Sequence, residues 1–266
     1  MTISAGTRAF MSTTTHGGSM PVSFYGKLPA RADFVGRRLP HDFVDCWDAW
    51  LQQSLATSEA ALGLDWRDCY FAAPLWRFVL PAEICGSAAV AGVMMPSVDA
   101  VGRSFPLMLG RQLAAGEEPL AVAAGCSDWF EAAEVLAIET LYHGFDFAAL
   151  DRKLAPFDPA PFIALPTGKL QAASSTRIGV WLELPMLSAV GSAVGEVAGV
   201  LPSPCLWWTT GSARVRPGLA ATPGLIPPEA FAALLDGRWA FHGWSVLGFG
   251  GPQPAPVGGD EWDREA

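Results

Sequence analysis

After Pro40, hydrophobic positions recur at helical intervals: Phe43, Trp47, Trp50, Leu51 and Leu55 share one face, while Asp45, Asp48 and Gln52 point elsewhere. That spacing predicts an amphipathic helix with Asp42 placed to cap its first turn. The period then changes. Trp76, Phe78 and Leu80 alternate with Arg77 and Val79 as in a strand, and Ala88 to Met95 is a nearly continuous apolar run of the kind a buried strand makes. Phe105 to Leu113 predicts another strand, joined to it as a hairpin through the turn-forming stretch Asp99 to Ser104.

A second helix is expected from a cap at Ser127 or Asp128. It carries Trp129, Ala133, Leu136, Ala137 and Leu141 on one face and the acids Glu131, Glu134 and Glu139 on the exposed side, and it stops at Gly144. Between Ala155 and Ser175, Pro156, Pro159, Pro161 and Pro166 break regular structure; this connection either separates two subdomains or crosses one compact unit. Beyond it, Ile178, Val180, Leu182 and Leu184 alternate with Arg177, Gly179, Trp181 and Glu183 as a half-buried strand. Trp181 then faces either solvent or, the favoured reading, a second packing layer. Cys205 to Thr210 reads as a strand, and Pro228 opens a short helix that ends at Gly237.

The elements are mixed rather than strictly alternating, so the expected class is α+β, a mixed and largely antiparallel sheet packed with helices. Residues 22–250 are expected to form the folded unit. Residues 1–21 read as a flexible leader, rich in Ser, Thr and Gly, and 251–266 as a flexible tail. Met20 directly precedes the first patterned segment, which allows residues 1–19 to be an upstream extension.

Composition narrows the function classes. The 266 residues are 51% hydrophobic and only 16% charged, enough to build a large core. The net charge of −9, with no Lys/Arg run, argues against nucleic acid as a partner, because that binding rests on clustered positive charge. No stretch supplies the roughly 18 consecutive apolar residues of a membrane helix, so no direct membrane insertion is expected. Cys46, Cys69, Cys85, Cys126 and Cys205 are scattered and odd in number, which fits a reducing cytoplasm, with Cys46 and Cys85 acting as small hydrophobes.

Motifs for cofactor chemistry are missing. The sequence has no phosphate-binding G-x-x-x-x-G-K-[ST], no G-x-G-x-x-G and no G-x-S-x-G, and Thr167-Gly168-Lys169 reads as a turn. His16, His41, His143 and His242 form no metal-ligand pair on one helix, and Asp42 beside His41 is explained by capping. No cofactor or metal is expected.

Two segments remain, each dense in Gly, Pro, Arg and Asp beside an aromatic. They are Tyr25-Gly26-Lys27-Leu28-Pro29-Ala30-Arg31-Ala32-Asp33-Phe34 and Met95-Pro96-Ser97-Val98-Asp99-Ala100-Val101-Gly102-Arg103-Ser104-Phe105-Pro106. Their charged groups can tie turns together, can form an exposed recognition surface or, if Asp33 and Asp99 converge, can serve acid/base chemistry.

With Trp47-x-x-Trp50-Leu51, Trp66 and Pro74-x-Trp76-Arg77-Phe78 between them, these segments resemble the TagF family of type VI secretion-associated proteins, most strongly over Val22 to Leu113. The resemblance implies a non-enzymatic cytoplasmic accessory protein. It would repress a bacterial type VI secretion system post-translationally by binding the system's forkhead-associated scaffold protein, with a membrane-complex subunit as a further partner. The family brings no catalytic set. Arg31, Asp33, Asp99 and Arg103 are the partner-contact candidates, chosen for their place in the motifs and their charge. The alternatives are a hydrolase using Asp33 and Asp99, or a structural subunit of the secretion apparatus.

Overall fold

The computed structural model describes residues 21–142, 144–145 and 178–248. The expectations for the leader apart from Pro21, for the 155–175 connection and for the tail 251–266 lie outside these residues. The first helix, α1 (His41–Leu62), forms where the periodicity places it, and it buries Phe43, Trp47, Trp50, Leu51 and Leu55. Its cap differs from expectation. Pro40, held extended at φ −61° and ψ 151°, is the N-cap, and Asp42 lies inside the first turn, where its carboxylate accepts from the Phe43 N–H at 2.9 Å.

After a 3₁₀ turn come α2 (Trp66–Ala72), β3 (Trp76–Leu80), β4 (Val90–Met95) and β5 (Leu107–Gln112), preceded in the chain by β1 (Ser23–Gly26) and β2 (Val35–Arg37). Strands β4 and β5 are an antiparallel pair, as the hairpin reading required. Helices α3 (Pro119–Gly125) and α4 (Ser127–Glu139) follow. Cys126, rather than Ser127 or Asp128, is the α4 N-cap, and the helix ends at Glu139, before Gly144. The remaining described elements are β6 (Val180–Glu183), α5 (Val190–Ala198), β7 (Cys205–Thr209), β8 (Gly218–Thr222), α6 (Ala233–Asp236) and β9 (Ser245–Gly248), with 3₁₀ turns at Leu187–Ala189 and Pro228–Ala230.

All nine strands among the described residues join one sheet in the order β2-β1-β5-β4-β3-β7-β8-β6-β9, antiparallel except for the β6–β9 pair. The fold is therefore α+β on a single mixed, mostly antiparallel sheet that carries both halves of the described chain. Helices cover both faces. On one side α3, α4 and α5 pack on Val93, Leu109, Leu206 and Leu219; on the other, α1, α2 and α6 pack on Phe78, Met108, Trp207 and Ala220.

Double coverage changes how the strands should be read. Every residue of β3 is buried, including Arg77, whose guanidinium makes a two-pronged ion pair to Glu134 of α4 at 2.8 and 2.9 Å. Glu134 is thus a half-buried partner rather than a member of an exposed acidic face. Strand β6 is buried over Val180 to Leu182 rather than half-buried. Trp181, 2% exposed, stacks on Trp239 at 3.8 Å between centroids and 7° between planes, which is the second-layer packing expected for it.

The cysteines depart from the sequence reading. Cys46 of α1 and Cys85 of the β3–β4 connection are disulfide-bonded, with Cα atoms 5.4 Å apart, so they do not act as separate small hydrophobes. Cys69, Cys126 and Cys205 remain as buried thiols, and burial pushes that of Cys205 up to about 12.

Candidate functional site

The two motif segments are neighbours. Strand β1 pairs with β5, so the chain leaving β1 runs alongside the connection that enters β5. Gly26, at φ +142°, makes this close approach possible: a Cβ there would lie 2.2 Å from the Pro106 carbonyl oxygen. Ser97 then donates its hydroxyl to the Lys27 carbonyl at 2.7 Å. The Tyr70 hydroxyl of α2 holds Ser97 from below, donating to its carbonyl and accepting from its N–H.

Asp99 is the centre of the arrangement. Its carboxylate is fully buried and accepts from the Lys27 ammonium at 3.0 Å and the Arg103 guanidinium at 2.6 Å, while its other oxygen accepts from the N–H groups of Val101 and Arg103. Burial works to raise its pKa, but these four donors together outweigh burial and hold the carboxyl well below the usual carboxylate range. Two further bonds close the pair of loops: Ala100 N–H donates to the Arg31 carbonyl at 2.8 Å, and the Arg103 guanidinium donates to the Ala32 carbonyl at 2.9 Å.

The four candidates therefore separate. Arg31 and Asp33 are exposed, Arg103 is exposed while its Nε is committed to Asp99, and Asp99 is buried out of a partner's reach. Asp99 organises the surface instead of forming it. No hydrogen bond joins Asp33 to Asp99 among the described residues, and Asp99 is held as an ionised, fully donated carboxylate, a poor arrangement for exchanging protons with a substrate.

An aromatic wedge completes the tip. Phe34, 43% exposed, stacks on Tyr25 at 5.5 Å, meets Phe105 edge-on at 4.8 Å and lies under the Lys27 ammonium at 5.1 Å. Tyr25 in turn donates its hydroxyl to Asp48 of α1 at 2.9 Å. Val101, 70% exposed, crowns the facing turn. Lys27, Phe34 and Val101 were not among the sequence candidates, although all three stand inside the two motif segments. The result is an exposed tip, tied from within, that sets Phe34 and Val101 among Arg31, Asp33 and Arg103, a mixed apolar and charged surface suited to protein contact.

Among the described residues, no three His, Cys, Asp or Glu side chains group as metal ligands, and no helix is long and apolar enough to cross a membrane.

The family model for the TagF N-terminal domain, type VI secretion system-associated, matches residues 23–157. The chain belongs to the TagF family. Both segments of the tip lie inside the TagF match, as do β1–β5 and α1–α4. Among solved structures, the chain is similar to PA0076 from Pseudomonas aeruginosa PAO1, at 33% sequence identity and a TM-score of 0.65, over 88% of this chain and 100% of that one. No curated protein matches the sequence.

Proposed function

We propose that this type VI secretion-associated protein is a non-enzymatic cytoplasmic repressor that binds the system's forkhead-associated scaffold protein and holds it away from its activating partner. The observation that carries the reading is the internally bonded tip within the family-matched region, where an ion-pair cluster underlies the exposed Arg31, Phe34 and Val101. A preordered surface loses little conformational entropy on binding, which favours a specific protein contact. Arg31 and Asp33 supply charge selectivity, Phe34 an apolar anchor, and Asp99 the support beneath them.

Calorimetry of the purified chain with the scaffold encoded in the same secretion cluster tests this directly. Saturable binding to phosphorylated and unphosphorylated scaffold alike is the expected result. Absence of binding to both would move the contact to a membrane-complex subunit. In cells, overproduction should silence secretion; unchanged or increased secretion would point to a structural subunit instead.

A further inference from the structure

A second surface lies outside the family-matched segment. The β7–β8 loop turns at Gly211 and is pinned by Ser212, whose N–H donates to the Val215 carbonyl at 2.7 Å and whose hydroxyl accepts from the N–H groups of Arg214 and Val215. The loop meets the end of α6 closely: at Gly237, φ +74°, a Cβ would lie 2.4 Å from the Arg214 carbonyl oxygen. That contact sets Arg214, Arg216 and Arg238 around one groove of about 590 Å³, with Trp239 and Phe241 also in its lining.

Its charges do not cancel. Arg216 pairs with Glu183 at 2.7 Å, and Arg238 pairs with Asp236 at 2.7 Å. Arg214 is exposed and has no carboxylate partner among the described residues. Three guanidinium groups therefore face two carboxylates, in a chain whose overall charge is −9. Each guanidinium carries five N–H donors in a fixed fork, so even the two paired arginines keep donors to spare.

The apolar side is equally specific. Phe241 is 74% exposed, and the Arg238 guanidinium lies over its ring at 4.8 Å. Trp239 is fixed behind it by the stack on Trp181 and an edge-on contact to Trp244 at 5.0 Å. A group that satisfies the groove needs a carboxylate for Arg214 and an apolar side chain for Phe241. A nucleic acid would meet the field of an acidic chain with no basic run, whereas a short peptide segment offers both groups a residue apart.

We propose that this groove binds an acidic peptide segment of a partner protein, a carboxylate seated on Arg214 beside an aromatic or large aliphatic side chain on Phe241. The site is separate from the tip and does not depend on its role.

The test is fluorescence anisotropy of the full chain with a fluorescein-labelled peptide of alternating Asp and Phe, alongside the same peptide with Asn in place of Asp and a labelled single-stranded oligonucleotide. Saturable binding of the acidic peptide, weakened at least tenfold by Arg214→Ala, weakened by Phe241→Ala and by added salt, is the expected result. Since Arg214 holds no ion pair among the described residues, the variant should melt with the parent, and Arg214→Lys should recover part of the affinity. Equal binding of the Asn peptide, preference for the oligonucleotide, or an Arg214→Ala affinity equal to the parent's would each overturn the proposal. So would binding that emerges only after Asp260→Asn, Glu261→Gln and Asp263→Asn are introduced together, since that would assign the groove to the chain's own acids.

Discussion

The Lys27 ammonium and the Asp99 carboxylate, 72 residues apart in sequence, form a buried ion pair at 3.0 Å that joins the two loops of the tip. Removing Asp99 leaves the Lys27 ammonium buried without its carboxylate, and removing Lys27 leaves Asp99 buried with one cationic donor fewer, so each single loss costs more than its share of the pair. Asp99→Asn and Lys27→Met are therefore each expected to lower the melting temperature. The double variant should fall short of their sum, and a double-mutant cycle by thermal denaturation measures the difference.

Acid should act through the same carboxylate. Asp99 and Asp236 both have pKa values held below the ordinary 3.8; in each, burial pushes upward and is outweighed by hydrogen bonds, from Lys27 and Arg103 in one case and from His242 and Arg238 in the other. A depressed folded-state value means stability that is fully present above the unfolded value and is lost as pH falls toward the folded one. Melting temperature should hold between about pH 7 and 5 and drop below about pH 4, with a shallower acid limb in Asp99→Asn. An identical limb in that variant would remove Asp99 as a cause.

Arg31 and Arg103 look alike in the sequence but differ in what they hold. The Arg31 side chain is exposed and makes no ion pair among the described residues, so Arg31→Ala should change stability by no more than about 0.5 kcal/mol while weakening scaffold binding. Arg103 donates to both Asp99 and the Ala32 carbonyl, so Arg103→Ala should lower the melting temperature and weaken binding together. Calorimetry beside differential scanning of the two variants separates them.

Thiol counting checks the cysteine arrangement. Of the five cysteines, three are free when the Cys46–Cys85 bond is closed. Mass spectrometry after alkylation in denaturant should find three modified cysteines without reductant and five with it. If the protein works in a reducing cytoplasm, as proposed, the pair opens there, and protein trapped with alkylating agent before lysis should carry five.

Periodicity located α1, α4 and β3, and apolar stretches located β4, β5 and β7, because each has enough large apolar residues to show its pattern. It missed α3, α5 and β8, whose sequences PLAVAAG, VGSAVGEVA and GLAAT are built from small residues that mark no face. It read β6 as half-buried for a physical reason: alternation tells the buried face from the wet one only when one face of a sheet is wet, and here both faces are covered, Arg77 included. The motif segments of the tip were visible in sequence, yet their division of labour was not. The burial of Asp99 depends on Lys27 arriving from the segment after β1, a contact that no local pattern encodes.

The border of the family match and the border of the folded unit do not coincide. Residues 23–157 contribute the strands on one side of β3, and β7 bonds to the other side through Arg77, Phe78 and Val79. Trp50 and Trp76 of the matched region also donate their indole N–H groups to the carbonyls of Ile226 and Leu234, far beyond it. A fragment cut at the similarity boundary would carry β3, apolar but for Arg77, as a bare edge, an invitation to pair with any passing strand. The matched segment thus cannot be excised at its own borders: the second half of the chain is the first half's protection against aggregation.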